Sequence, residues 1–471
     1  MAMNYVPRDY QEIGIDFALQ NNRYQIYAGM GMGKTSIMLT AFNAYEFLGG
    51  SPALVIAPKR VCIDTWPKEV AKWKHTEHFT IANMAKAKNA KKRAEEFFKP
   101  ADIYIINFEN LMWLWKILVK TKQLNSKFKT IIVDESTKLK GFRIRKGSRC
   151  AFALAHFVFY AKFYVNLTGT PCTKGLLDLW GQVFFVDRGK ALEKSYSQFK
   201  TKYFYTEGYS KYAKPVLRSK SAFNEISSKI KPFTLSLRPE DYFDLEKPLE
   251  YNIIVNLPEE VKAHYSLMEK KLVAEFKQGT IEATTAATKT IKTLQMCSGG
   301  IYYKTNKNEK KQYEIIHEEK LNALEEIIEE SGGENVIVAY HWNFDEKMIK
   351  NRFKHAVNVR EENAVNRFNN NEIELLLLHP DSAGHGIDLQ YGGRTIVFYS
   401  NFWKVENYLQ AVERIGPVRQ LQAGFKRIVK IYNIICDQTI DCAVVRNRKE
   451  MKEIQEAVIE YINERDCTYA L

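Results

Sequence analysis

Short, nearly unbroken apolar runs punctuate the chain at 24–28, 53–57, 102–107, 130–133 and 163–167, and again at 336–340, 375–378, 395–400 and 429–434. Runs such as TIIVD and ENVIVAY are apolar at successive positions, as strands buried on both faces require. The segments between them are long enough for helices, and strands alternating with helices predict parallel sheets built from βαβ units. The stretch from about 195 to 298 is different in kind. It is richer in Lys and Tyr, and its later part reads as long polar helices at 258–278 and 281–296. The pattern therefore predicts an α/β protein of two lobes, 1–190 and 301–471, joined by a mostly helical connector at 191–300. The Lys-rich stretch 86–99 fits a solvated helix face, because Ala residues, Phe97 and Phe98 interrupt it. No internal repeat or low-complexity tail is visible.

The first apolar run leads into AGMGMGKT, residues 28–35, and then into the helical SIMLTAFNAYEFL. Strand, glycine-rich loop and helix in that order is the setting a phosphate-binding loop requires. Gly29, Gly31 and Gly33 let successive N–H groups converge on an anion at a helix N-terminus, where the helix dipole also favours negative charge. Lys34 is placed to reach the β- and γ-phosphates of ATP, and the Thr35 hydroxyl to ligate Mg²⁺. Ala28 stands where the pattern has its first glycine, so the motif is a variant. The other half of such a site is an acidic residue ending a buried strand, and Asp134-Glu135 ends the 130–133 run. Asp134 is the expected Mg²⁺ ligand and Glu135 the expected general base for the attacking water. The bland alternative, an acidic turn after a strand, is weakened by the phosphate loop about a hundred residues upstream.

With these residues in order, the chain resembles the superfamily-two helicases, and among them the Swi/Snf-type DNA translocases, most of all the compact versions carried by bacteriophages. The likeness runs from about Pro7 to Lys452. PRDYQ at 7–11 resembles the family's adenine-reading element and implies base contacts from Arg8 and Gln11. LVIAPKRVCIDTWPKEVAKW at 54–73 resembles the next motif, whose loop at Pro58-Lys59 lies beside the DNA backbone in that family. DEST at 134–137 and LTGTP at 167–171 follow, and the resemblance makes Thr168, Gly169 and Thr170 the link between ATP state and lobe movement. In the second lobe, LLLHPDSAGHGIDLQ resembles the family's G-G-x-G-I-N-L element, keeping Gly384 and Gly386 and replacing commoner residues by His385 and Asp388. QAVERIGPVRQ at 410–420 resembles Q-A-x-x-R-x-x-R-x-G-Q, which implies Gln410 at the nucleotide and Arg414 as a catalytic arginine. Pro417 occupies the second arginine position, and Arg419, two residues on, is the substitute. A closing QTID at 438–441 completes the series. The resemblance implies two RecA-like lobes and a nucleic-acid-dependent ATPase, with an arginine from the second lobe worth roughly 10³–10⁵ in rate.

Composition adds the partner. Of 471 residues 45% are hydrophobic and 26% charged, which excludes wholesale disorder. Lys and Arg total 69 against 55 Asp and Glu, a net +14 that favours a polyanion, either nucleic acid or an anionic membrane surface. No apolar run reaches the roughly 18 residues that span a bilayer, and MAMNYVPRDYQ has no apolar core of a secretory signal. The seven cysteines include no CxxC pair, which suits a reducing cytoplasm, the host's if the chain is phage-encoded, and argues against a zinc site. The excess charge is therefore assigned to a duplex DNA backbone read with little sequence preference, with no membrane partner. Candidate contacts are Lys59, Arg60 and the KLKGFRIRKGSR stretch, namely Lys138, Lys140, Arg143 and Arg145. The 200–220 stretch is a further positive surface, although Tyr203, Tyr205, Tyr209 and Tyr212 within it read more naturally as core packing than as base-stacking platforms.

The sequence thus predicts an ATP-dependent translocase on double-stranded DNA that remodels DNA–protein complexes or branched DNA. A strand-separating DNA or RNA helicase is the first alternative, for which no clear β-hairpin pin is visible. A nucleic-acid-binding scaffold with impaired ATPase is the second, favoured by Pro417 alone.

Overall fold

The computed structural model describes residues 2–29, 31–145, 147–206, 215–271, 273–276, 279–282, 286–303, 312–380 and 387–463, with the backbone alone over 271–287. The chain divides into two compact units, Met1–Phe243 with Met451–Leu471, and Asp244–Glu450.

Among the described residues of unit 1, seven strands are β1 (Arg23–Ala28), β2 (Ala53–Ala57), β3 (Ile81–Asn83), β4 (Ile103–Asn107), β5 (Thr130–Asp134), β6 (Phe163–Thr168) and, after the small hairpin β7 (Phe204–Thr206) and β8 (Pro215–Leu217), β9 (Thr234–Leu237). They form one sheet in the order β3-β4-β2-β5-β6-β1-β9, and every ladder in it is parallel. Side chains alternate between its faces. Leu54, Ile56, Ile131 and Val133 enter one core, while Val55, Ile105, Ile132 and Val165 enter the other. Each such fully buried aliphatic contributes about 1.5–3 kcal/mol, which explains why these strands are apolar at every position. Val458 and Ile462, from the second half of the long helix Ile440–Asn463, complete the first of these cores.

Unit 2 begins with β10 (Leu249–Val255). The hairpins β11 (Val273–Phe276) with β12 (Gly279–Glu282) and β13 (Gly300–Tyr303) with β14 (Gln312–Ile315) come next. Then come β15 (Val336–Ala339), β16 (Val357–Asn358), β17 (Leu375–Leu378), β18 (Thr395–Phe398) and β19 (Lys430–Cys436). Its sheet runs β10-β19-β18-β15-β17-β16, again wholly parallel. Ile337, Leu376 and Ile396 pack on one face, and Val338, Leu377 and Val397 on the other.

The α/β architecture of two parallel sheets with flanking helices is the one the hydrophobic pattern predicts. Two details of the intervening segment differ. It supplies an edge strand to each sheet, β9 beside β1 and β10 beside β19. The helix expected over 258–278 spans Glu259–Lys271 instead, and the hairpin of β11 and β12 replaces its second half. There Val273, Phe276, Thr280 and Ile281 favour extended backbone. The Lys-rich helix forms at Ala90–Phe98, capped by Asn89 accepting from the Lys92 N–H, with Phe97 buried beneath its solvated lysines. No helix among the described residues is long and apolar enough to cross a membrane.

Candidate functional site

Parallel strands deliver their carboxyl ends to one edge of a sheet, and the crevice there is where open α/β folds bind ligands. In unit 1 that edge gathers four of the segments singled out by sequence. β1 runs into the loop that closes with Gly31 at φ +80° and Gly33 at φ +72°, both in the left-handed region that glycine enters without strain. Gly33 caps the helix Lys34–Phe47. Met32, fully buried, pins the loop to the core beneath it. The Lys34 ammonium donates to the carbonyls of Ala28 (2.8 Å) and Gly29 (3.0 Å), which holds its charge at the mouth of the loop. Thr35 is half-buried one residue further along the same helix.

Asp134 ends β5 and Glu135 follows it, each less than one-tenth exposed. The Trp66 indole N–H donates to Asp134 Oδ2 at 3.0 Å, fixing the carboxylate's orientation from a buried position. Glu135 takes φ +62°, a left-handed conformation costly for a residue with a Cβ, of order 1–3 kcal/mol. Such strain concentrates at functional sites. A hydroxyl of Thr35 and a carboxylate of Asp134 are the hard oxygen donors that Mg²⁺ selects, and the Trp66 hydrogen bond is the kind of outer support that orients a metal ligand, so these residues fit that ion.

The turn after β6 is tied to the segment after β5 by buried hydroxyls. Thr137 Oγ1 lies 2.8 Å from Thr168 Oγ1 and donates to the Thr170 carbonyl at 2.9 Å, while the Thr170 N–H donates to Thr168 Oγ1 at 3.0 Å. Gly169 lies so close to the phosphate loop that an added Cβ would stand 3.1 Å from the Ala28 carbonyl. Gln182 extends the network, accepting from Ser136 Oγ and donating to the Pro171 carbonyl.

The element at Arg8–Gln11 starts the helix Asp9–Gln20. The Arg8 N–H donates to Gln11 Oε1 at 3.0 Å, and the Gln11 amide nitrogen packs directly over Gly33, where any Cβ would collide with it. Burial pushes the Tyr10 phenol up, with the neighbouring Arg8 cation opposing.

The proposed DNA contacts divide into two groups. Lys59, Arg60, Lys138 and Arg145 are exposed, Arg60 at 3.9 Å from Asp64. Lys140 and Arg143 are half-buried and engaged within the unit. Lys140 donates to Thr173 Oγ1 at 2.6 Å beside Asp178, whose carboxyl burial pushes up and Lys140 holds down. Arg143 lies over the Tyr196 ring, 3.2 Å from its centre. Tyr203 belongs to the core, whereas Tyr205 is exposed and Tyr209 and Tyr212 lie outside the described residues.

In unit 2, Gln410 and Arg414 are buried at the end of the helix Val405–Val412 and just beyond it. Arg414 Nη1 donates to the Ile387 carbonyl at 3.2 Å. Pro417 opens a new helix, Pro417–Gln422, at the first-turn position proline favours, and that helix carries Arg419 into an ion pair with Asp388. Gly384, His385 and Gly386 lie outside the described residues. Asp441 of the QTID element is a buried anchor that accepts from Lys320 Nζ at 2.5 Å.

Trp66, Thr137, Gln182 and the turn at 238–243 lie within stretches that resemble the family, at 54–73, 134–137, 175–187 and 230–250, but the sequence assigned none of them a role of its own. Each acts across the fold on a residue that it did find.

Two family models match the chain, the SNF2-related domain over residues 10–328 and the helicase conserved C-terminal domain over 319–418. Protein p41 of Acyrthosiphon pisum secondary endosymbiont phage 1 is 41% identical over 97% of this chain and 98% of its own length. Protein CHROMATIN REMODELING 5 of Arabidopsis thaliana is 24% identical over 97% of this chain, which spans only 27% of that larger protein. Among solved structures, the Sulfolobus solfataricus SWI2/SNF2 ATPase core in complex with dsDNA is 21% identical, with a TM-score of 0.44 over 98% of this chain and 96% of that one.

Proposed function

The chain belongs to the SNF2-related family of helicase-type ATPases, and from that premise we propose that it is an ATP-driven translocase on double-stranded DNA, remodelling DNA–protein complexes or branched DNA. One observation carries the reading: the hydroxyls of Thr137 and Thr168, with the backbone of Thr170, join the segment after the acidic pair to a turn that itself touches the phosphate loop through Gly169. A site so connected can pass the state of a bound nucleotide to the rest of the protein.

The N–H groups of the loop and the Lys34 ammonium bind the phosphates, their charge already concentrated at the helix N-terminus. Thr35 and Asp134 hold Mg²⁺, which when bound neutralises phosphate charge. Glu135 aligns the attacking water and accepts its proton from a backbone conformation that the turn after β5 enforces. Positive charge for the transition state comes from unit 2, through Arg414 or Arg419. The exposed cations Lys59, Arg60, Lys138 and Arg145 take the DNA backbone, while Lys140 and Arg143 shape the loop that presents Lys138 and Arg145.

The test is ATP turnover without nucleic acid and with single strand, duplex and RNA, for the native protein and for Lys34→Ala and Glu135→Gln. Stimulation by duplex, lost in both variants, is the expected result. Stimulation by single strand with unwinding of forks would make the protein a strand-separating helicase, and no hydrolysis under any condition would overturn the proposal. Arg414→Ala and Arg419→Ala are each expected to reduce turnover far more than DNA binding, and unchanged turnover removes that arginine from the role.

A further inference from the structure

The turn Arg238–Phe243 leaves β9 on the phosphate-loop side of the sheet and is built more firmly than a connection needs to be. Arg238 and Asp241 close it with two hydrogen bonds, Nε to Oδ2 at 3.0 Å and Nη2 to Oδ1 at 2.7 Å. The N–H groups of Tyr242 and Phe243 both donate to the Pro239 carbonyl, at 3.1 and 2.9 Å. Asn463 Nδ2, at the end of the long C-terminal helix, donates to Asp241 Oδ2 at 2.7 Å.

This braced turn packs against both parts of the proposed nucleotide site. Pro239 lies so near Gly29 that an added Cβ would stand 2.9 Å from its ring, so the loop glycine and the proline are fitted to one another. The rings of Tyr242 and Phe243 lie 5.3 and 5.6 Å from that of Tyr10, which is buried. The Arg8 guanidinium sits over Phe243, 5.5 Å from the ring centre, and Arg8 is exposed on its outer side. The Arg8 backbone N–H is bonded to Gln11, and Gln11 covers Gly33, so the root of the Arg8 side chain is fixed relative to the end of the phosphate loop and Phe243 places the guanidinium beyond it.

We propose that Phe243 is a positioning residue for the nucleotide base: by backing the Arg8 guanidinium it presents a flat cation on whose outer face the base of a purine nucleoside triphosphate stacks. This rests on the reading of the glycine-rich loop as the phosphate site. A guanidinium is planar, weakly hydrated and stacks on aromatic faces. Left unsupported on an exposed side chain it samples many rotamers, and ordering it on binding costs entropy. Phe243 removes that cost in advance, which strengthens binding of the base and leaves the phosphates untouched.

The experiment compares the full chain with Phe243→Ala and Phe243→Leu, measuring KM and kcat for ATP and the inhibition constant of inorganic tripolyphosphate against ATP turnover. The expected result is a KM for ATP raised at least fivefold in both variants, kcat within twofold, and an unchanged inhibition constant for tripolyphosphate. Phe243→Tyr, which keeps the ring, restores the native KM. Phe243→Leu keeps apolar volume and removes the aromatic face, so it reads the same quantity if the alanine variant does not fold. Loss of ATP and tripolyphosphate binding in equal measure, or no change for ATP, overturns the role of Phe243. Lys34→Ala separates the two failures: turnover that survives this substitution sinks the phosphate-site reading itself, whereas Lys34-dependent turnover indifferent to Phe243 sinks only the proposal.

Discussion

Thr137 and Thr168 meet hydroxyl to hydroxyl at 2.8 Å, fully buried, one just after the acidic pair and the other at the last position of β6. Neither side chain has a water-facing alternative. Any displacement of Glu135 and its turn is therefore felt at Thr170, whose N–H and carbonyl complete the same chain.

Replacing Thr137 by valine keeps the shape and removes both hydrogen bonds, and it leaves Thr168 and the Thr170 carbonyl short of a partner. The cost is about 1–3 kcal/mol of unit 1 stability. Turnover is expected to fall by about tenfold or more, equivalent to about 1.4 kcal/mol at the transition state, with KM for ATP little changed. Steady-state kinetics with a denaturation curve check it, and native turnover in a folded variant would reduce the hydroxyl pair to a packing contact.

The division of the cations into exposed and engaged predicts two phenotypes. Neutralising Lys59, Arg60, Lys138 or Arg145 should weaken duplex binding and lower the slope of log K against log salt by about one for each phosphate no longer neutralised. Neutralising Lys140, held on Thr173 beside Asp178, should instead lower thermal stability and leave that slope near its native value. A salt titration of duplex affinity separates them, and a reduced slope for Lys140 would move it to the exposed group.

Two buried groups of unit 2 give stability opposite pH dependences. Burial pushes the Asp345 carboxyl up to about 7 from its ordinary 3.8, against hydrogen bonds from Ser400 and from the N–H groups of Trp342 and His341. Between those values the folded state holds a proton that the unfolded chain has lost, so stability falls as pH rises through the window. Burial lowers His317 to about 4 from 6.5, so there the unfolded chain holds the extra proton and stability rises with pH. The two offset one another in mildly acid solution, and Asp345 alone acts as pH approaches 7. Asp345→Asn should therefore gain on the native protein by about 2–3 kcal/mol between pH 5 and pH 8. Urea unfolding across that range measures it, and a constant gap between the two proteins would rule the linkage out.

The parts of the site legible in the sequence were those whose chemistry dictates consecutive residues. A loop whose N–H groups must converge needs glycines at set places beside Lys34 and Thr35, and a buried strand ending in Asp134-Glu135 announces itself by contrast. What escaped were the pairings between these motifs and distant parts of the chain. Trp66 reaches Asp134 across 68 residues and Ser136 reaches Gln182 across 46, distances at which no local pattern survives. The edge strands were missed for another reason. β10 is exposed along most of its length, and TLSL of β9 carries polar side chains that find partners in the sheet, as Thr234 does with Gln25, so neither shows the unbroken apolar signature of the central strands. Arg414 and Arg419 were found by motif, but their surroundings were not: one is sealed against the Ile387 carbonyl and the other paired with Asp388.

Unit 1 is not contiguous along the chain, because the helix that supplies Val458 and Ile462 to its core arrives only after all of unit 2. During synthesis its seven strands are complete some two hundred residues before that helix appears, and domains fold as they emerge. Through that interval part of its apolar surface awaits a lid, and the Asp241 turn awaits Asn463. The ATP-binding half is therefore completed only once unit 2 has been made, and the helix Ile440–Asn463 closes both its core and the turn beside its nucleotide loop.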